Sequence, residues 1–161
     1  MKKFILSAIV ALFAFGASSQ EKGDMAIGVN LGVAPCFTKH YSTITNFGIG
    51  AKYQYNVTDP IRLEADLEYW LKNKQLSVFD VSANAQYLVG LTDKCNVYPT
   101  VGIGIGHVSY TDNSWDKFLF NVGIGAEYSI ADNLALDFQF KYQFVQDFSR
   151  LPIQIGIIYR L

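Results

Sequence analysis

The sequence predicts an all-β fold, an eight-stranded antiparallel transmembrane β-barrel wound as an up-and-down meander behind a cleaved signal peptide. Three observations predict it. From Met25 to Leu161 the chain falls into eight stretches in which every second residue is apolar, with glycine, polar or charged residues between them. The start of the chain is of another kind: Lys2 and Lys3 precede the apolar run Phe4 to Phe15, and Ala17 and Ser19 supply the small residues of a signal-peptidase site. No later run reaches the roughly 20 apolar residues of a membrane helix, so insertion would have to use strands.

Residues 1–19 are accordingly read as the signal peptide and 20–161 as one barrel domain. Losing Lys2 and Lys3 moves the net charge from -1 to -3, and with no basic excess nothing invites a nucleic acid.

Strand one spans about Met25 to Ala34, with Met25, Ile27, Val29, Leu31 and Val33 on one face and Gly28, Asn30 and Gly32 on the other. Strand two repeats the pattern from Thr45 to Val57, and the turn Thr58-Asp59-Pro60 breaks the ladder. Strand three sets Ile61, Leu63, Ala65, Leu67 and Tyr69 against Arg62, Glu64, Asp66 and Glu68, a charged face that no packed soluble core could hold unpaired. Strand four, Ser77 to Gly90, alternates less regularly, because Val78 and Leu88 break parity. Strand five sets Val101, Ile103 and Ile105 against Gly102, Gly104 and Gly106; Pro99 cannot donate to a ladder, so this strand is expected to begin after it or to carry a bulge there. Strand six runs from Phe118 to Tyr128. Strand seven, Leu134 to Phe144, is the cleanest, since a helix would smear its phenylalanines around the whole circumference. Strand eight closes the set from Ile153 to Leu161.

Short connections at Thr58 to Pro60, Leu91 to Lys94 and Ala131 to Asn133 alternate with longer ones at Pro35 to Ile44, Lys72 to Leu76, Ser109 to Asp116 and Val145 to Leu151. This asymmetry places both termini on the short-turn, periplasmic side. Cys36 and Cys95 then fall at opposite rims, too far apart for a disulfide, whose Cα atoms lie within about 7 Å.

Side-chain size decides which face points outward. About five bulky residues per strand would overpack the lumen of an eight-stranded barrel, whereas glycines on strands one, two, five and six leave room for the long side chains of strands three and seven. The inward set then holds Lys52, Arg62, Lys117, Lys141 and Arg160 against Glu64, Asp66, Glu68, Asp80, Glu127 and Asp137. Such groups persist in a narrow lumen when paired and hydrogen-bonded, so a cross-barrel network is expected in place of a binding site. Tyr53, Tyr55, Tyr87, Tyr128 and Tyr159 gather at the short-turn end, and Tyr69, Phe118, Phe120, Tyr142 and Phe144 at the other, as two aromatic girdles.

With these features the chain resembles the small eight-stranded outer-membrane proteins of the OmpX type and the transmembrane half of OmpA. The most specific piece is the C-terminal run Gln154-Ile155-Gly156-Ile157-Ile158-Tyr159-Arg160-Leu161, which looks like the polar-x-Gly-x-x-aromatic-x-hydrophobic signal of that family, with Leu161 where the family usually ends in Phe. The resemblance implies a monomer in the outer membrane of a Gram-negative-type bacterium, in contact with lipid and lipopolysaccharide. It also implies insertion by the outer-membrane assembly machinery, with Gln154, Gly156, Tyr159 and Leu161 as the residues read. No peptidoglycan-binding domain follows, so no OmpA-like tether is expected.

Other chemistry finds less support. The run Gly102 to Gly106 lacks the third glycine and the helix of a nucleotide loop. His107 and Ser109 share a face, in a spacing similar to that of PagL-type lipid A deacylases, but Tyr110 and Thr111 stand where that family has Asn and Ala, and no acid on the outward face of strand six is expected to orient the histidine. Cys36 and His40 match no usual metal spacing, and Glu64, Asp66 and Glu68 lack the open cleft of a glycosidase. The reading is a structural or surface-interaction barrel without catalytic residues, metal or cofactor, whose surface ligand the sequence does not name. A PagL-like deacylase and a narrow channel for small solutes are the alternatives.

Overall fold

A closed ring lets every strand edge find a neighbour, so the alternating stretches gain a full backbone ladder while keeping their two residue sets apart. The computed structural model describes residues 21–37, 44–73, 75–110, 113–146 and 148–161; the expected signal peptide, His40, Tyr41 and Thr111 lie outside them. Ten strand segments follow in chain order, with no helix among the described residues: β1 (Met25–Phe37), β2 (Ile44–Asn56), β3 (Ile61–Asn73), β4 (Leu76–Tyr87), β5 (Val89–Thr92), β6 (Cys95–Tyr110), β7 (Asn113–Ala131), β8 (Leu134–Val145), β9 (Phe148–Arg150) and β10 (Ile153–Arg160). They form eight antiparallel staves, since β4 with β5 and β9 with β10 each make one interrupted strand, and β10 closes on β1 from Val33↔Ile153 to Ala26↔Arg160.

Both interruptions occur at prolines. β5 keeps the register of β4 against β6, with Gln86↔Thr100 on one side of the gap and Val89↔Val97 on the other. Leu88 turns its N–H away, donating to the Pro60 carbonyl at 2.7 Å. It is therefore Tyr87 that faces β6, and its register partner there, Pro99, has no N–H to give. The expected late start or bulge at Pro99 is corrected accordingly: β6 begins at Cys95 and passes Pro99 in unbroken register with Ile124, and the disturbance falls on the neighbouring stave. β9 and β10 likewise share one register against β8, Gln143↔Arg150 and Ile153↔Phe140, and part only at Leu151-Pro152.

The expected long loops shrink for a different reason. At the end opposite both termini, the distal end, the ladder continues through polar residues to Asn73↔Leu76, Tyr110↔Asn113 and Val145↔Phe148. Lys72 to Leu76, Ser109 to Asp116 and Val145 to Leu151 are thus mostly strand. The expected loop from Pro35 to Ile44 is strand as far as Phe37 and again at Ile44, and residues 38–43 between β1 and β2 lie outside the described residues.

Burial is inverted relative to a soluble fold. Phe138 and Ile124 expose 50% and 55% of their surface, while Glu64 and Lys141 expose 2% and 0%. Apolar residues are buried chiefly at the two ends. Trp70, Val78, Leu76, Val108, Cys36 and Ala34 form a cluster at the distal end, with Ile44 and Phe148 packed against it; Ala26, Ala135 and Ile158 form a smaller one at the terminal end. Cys36 in the distal cluster and Cys95 at the start of β6 are both free thiols.

Candidate functional site

The lumen holds nearly all the buried charge, in layers that the register dictates. At the terminal end, Arg62 on β3 donates to Glu127 on β7 and Gln86 on β4, each at 2.7 Å, and Arg160 on β10 reaches the other Glu127 oxygen at 2.7 Å and the Ser129 hydroxyl at 2.9 Å. Above them, Lys52 on β2 lies 2.8 Å from Asp137 on β8 and 3.5 Å from Glu64 on β3. Glu64 also accepts from Gln54 at 2.8 Å and Gln139 at 3.1 Å, and Asp137 accepts the Tyr98 hydroxyl. In the next layer Lys141 on β8 bridges Asp66 at 2.8 Å and Glu68 at 2.7 Å; Asn84 and Gln154 donate to those same carboxylates. Uppermost, Asp80 on β4 takes both the Arg150 guanidinium and the Trp70 indole N–H, and the apolar cluster lies beside this layer.

Glycines give these side chains their room. Trp70 lies across its register partner Gly48, and Tyr98 across Gly125, so that a Cβ on either glycine would collide with the ring. The aromatic ring shields the glycine backbone, and the glycine admits the ring.

The residues singled out in the sequence are thus placed on one continuous interior surface: Lys52, Arg62, Glu64, Asp66, Glu68, Asp80, Glu127, Asp137 and Lys141 are buried there, and Arg160 is part-buried at its terminal end. Lys117 is half-buried. Three members were missed. Tyr98 and Trp70 share the inward parity of their strands, which could have revealed them; the ring faces stack under Arg62 and Arg150 at 4.9 and 5.4 Å. Arg150 falls within the expected loop from Val145 to Leu151, and only the continuation of the ladder through β9 brings it inside.

Of the C-terminal run, Gln154 and Gly156 face the lumen, Tyr159 points outward at the terminal girdle, and the Leu161 amide donates to the Met25 carbonyl at 2.9 Å.

On the outer wall near the distal end, the structure corrects one expectation. His107 and Asp116 are cross-strand partners on β6 and β7, and His107 Nδ1 lies 2.8 Å from Asp116 Oδ1, with both side chains exposed. An acid therefore does stand beside the histidine; the polar end of β7 carries no alternation, so by sequence Asp116 falls in the expected loop from Ser109 to Asp116. Ser109 lies two residues farther along β6 and pairs with Ser114. Among the described residues no cluster of histidine, cysteine or carboxylate side chains could hold a metal.

Comparison with solved structures finds the same architecture. Neisserial surface protein A superposes with a TM-score of 0.75 at 14% identity over 91% of this chain and 99% of that one. The attachment invasion locus protein Ail of Yersinia pestis gives 0.65 at 16% identity over 87% and 99%, and the N-terminal β-barrel domain of Pseudomonas aeruginosa OprF gives 0.62 at 16% over 88% and 100%. No curated protein sequence matches the chain. The family profile described as outer membrane protein beta-barrel domain matches residues 4–160, and the chain belongs to that family.

Proposed function

We propose that this protein is an integral barrel of the outer membrane of a Gram-negative-type bacterium whose lumen is structural and whose work is done at its outer surface, without catalysis. The observation that carries the reading is the filled lumen. Ion pairs at every level and the apolar cluster at the distal end together occupy the path that a permeating ion would take. The outward belt of apolar and aromatic residues suits lipid and the acyl chains of lipopolysaccharide. That one protein of similar fold is named for attachment and invasion supports a surface role. In this reading residues 1–19 are the export signal, the termini face the periplasm, Gln154, Gly156, Tyr159 and Leu161 serve the assembly machinery, and the barrel is a monomer. Electrophoresis with and without boiling, followed by planar-bilayer recording, tests it: the folded form should migrate apart from the heated one and carry no steady current. Identical mobility or a robust ohmic current would refute the proposal.

The His107–Asp116 contact favours a second reading, an ester hydrolase acting on membrane lipid. With Nδ1 held by Asp116, the histidine is left with Nε2 to activate Ser109 on the same face. Mass spectra of lipid A from expressing cells test this reading. Loss of an acyl chain that Ser109→Ala and Asp116→Asn both abolish would establish it, and unchanged lipid A would dispose of it.

A further inference from the structure

The two central layers of the lumen set two ammonium groups, Lys52 and Lys141, against four carboxylates, Glu64, Asp137, Asp66 and Glu68. The flanking layers do not repay this locally: Arg150 is matched by Asp80, and the extra cation of the terminal layer, Arg160, sits part-exposed. Buried charge without a counter-charge is costly. The hydrogen bonds tell the same story, because the amides around the carboxylates spend their N–H groups on them. Gln54 and Gln139 donate to Glu64, and Gln154 donates to Glu68. Their own carbonyl oxygens are left without a donor, as are Asp66 Oδ1 and Glu68 Oε2.

Two of these acceptors, Gln154 Oε1 and Glu68 Oε2, belong to side chains that bond each other, and a third unpartnered oxygen belongs to Asn30, separated from Glu68 by Gly50. Asn30, only 4% exposed and with neither amide atom partnered, leans its Oδ1 over Gly50, where a side chain would otherwise stand. Gly50 is the register partner of Glu68. From the other side Gln154 crosses Gly32 and reaches Glu68 Oε1 at 3.0 Å. The geometry points to a binding site for a small monovalent cation, of sodium or potassium size, held by Glu68 Oε2, Gln154 Oε1 and Asn30 Oδ1. Such ions take oxygen ligands, and one carboxylate among three donors suits a single charge better than calcium, which gathers about six to eight oxygens. A water would supply two hydrogens and no charge, and a proton would satisfy one oxygen alone. Lys141, 2.7 Å from Glu68 Oε1, holds the other carboxylate oxygen and leaves Oε2 for the ion.

Because the lumen is sealed, the ion enters as the barrel closes, and the test begins from the unfolded chain. The protein is refolded into detergent in sodium, potassium or choline chloride at equal ionic strength, and its thermal midpoint is measured. The expected result is a saturable rise of the midpoint in sodium or potassium over choline. Asn30→Ala and Glu68→Gln should each lose that rise, and Thr100→Val, an interior change away from the site, should keep it. Equal midpoints in all three salts, or a rise that survives both site variants, overturn the proposal. If the site variants do not fold, the wild-type barrel decides: refolded in sodium chloride, desalted into choline chloride and then denatured, it should release sodium in proportion to the folded protein by atomic emission, and a barrel that retains no sodium removes the site.

Discussion

Lys141 bonds the buried carboxylates Asp66 and Glu68 together and is itself wholly enclosed. Lys141→Met keeps the volume and strips the charge, leaving two carboxylates facing each other. Breaking a buried pair from one side costs about 3–5 kcal/mol, and urea unfolding of the folded barrel in lipid should register a loss of that order. Gly125 makes a steric counterpart. Its Cβ would strike the Tyr98 ring, whose hydroxyl serves Asp137, so Gly125→Ala should destabilise by about 1–3 kcal/mol, as overpacking does. Tyr98→Ala removes the obstacle, and the double variant should lose less than the two single losses added together. A strictly additive result would mean that the ring already clears the space.

Among the strands, the sequence was most legible where lipid enforces alternation. On β8, Leu134 to Phe144 reads outward and inward without a fault because one face meets acyl chains and the other meets Arg, Lys and carboxylate partners. Beyond the membrane belt that pressure disappears. Asn113 to Lys117 and Phe148 to Arg150 carry no apolar period, yet the backbone ladder continues through them because hydrogen bonds do not need one. This is why Arg150 and the His107–Asp116 contact were invisible in the sequence, whereas the inward parity of Lys52, Glu64 and Asp137 was plain. Pro99 shows the reverse case, a local rule correctly applied to the wrong strand. The proline leaves β6 intact and withholds an N–H from Tyr87 on the neighbouring stave. Pro99→Val should therefore join β4 to β5, and hydrogen exchange should find the newly introduced amide protected to the level of its β6 neighbours. Fast exchange there would show that the gap has another cause.

For the barrel entire, the closed lumen proposed above rests on two barriers in series along the axis. The layers of ion pairs fill the middle, and Trp70, Leu76, Val78 and Val108 close the distal end with apolar surface. A permeating ion must both displace a buried counter-charge and cross a stretch that offers it no ligand, and each step alone costs several kcal/mol. Removing one barrier leaves the other standing. Leu76→Ser with Val78→Ser should therefore stay silent in a planar bilayer, and so should Lys141→Ala with Glu68→Ala. The four changes combined should open a small conductance, provided that boiling still shifts the mobility of the variant. Current through either pair alone would mean that a single barrier seals the lumen, and the remaining layers would then have to be understood as stability and not as closure.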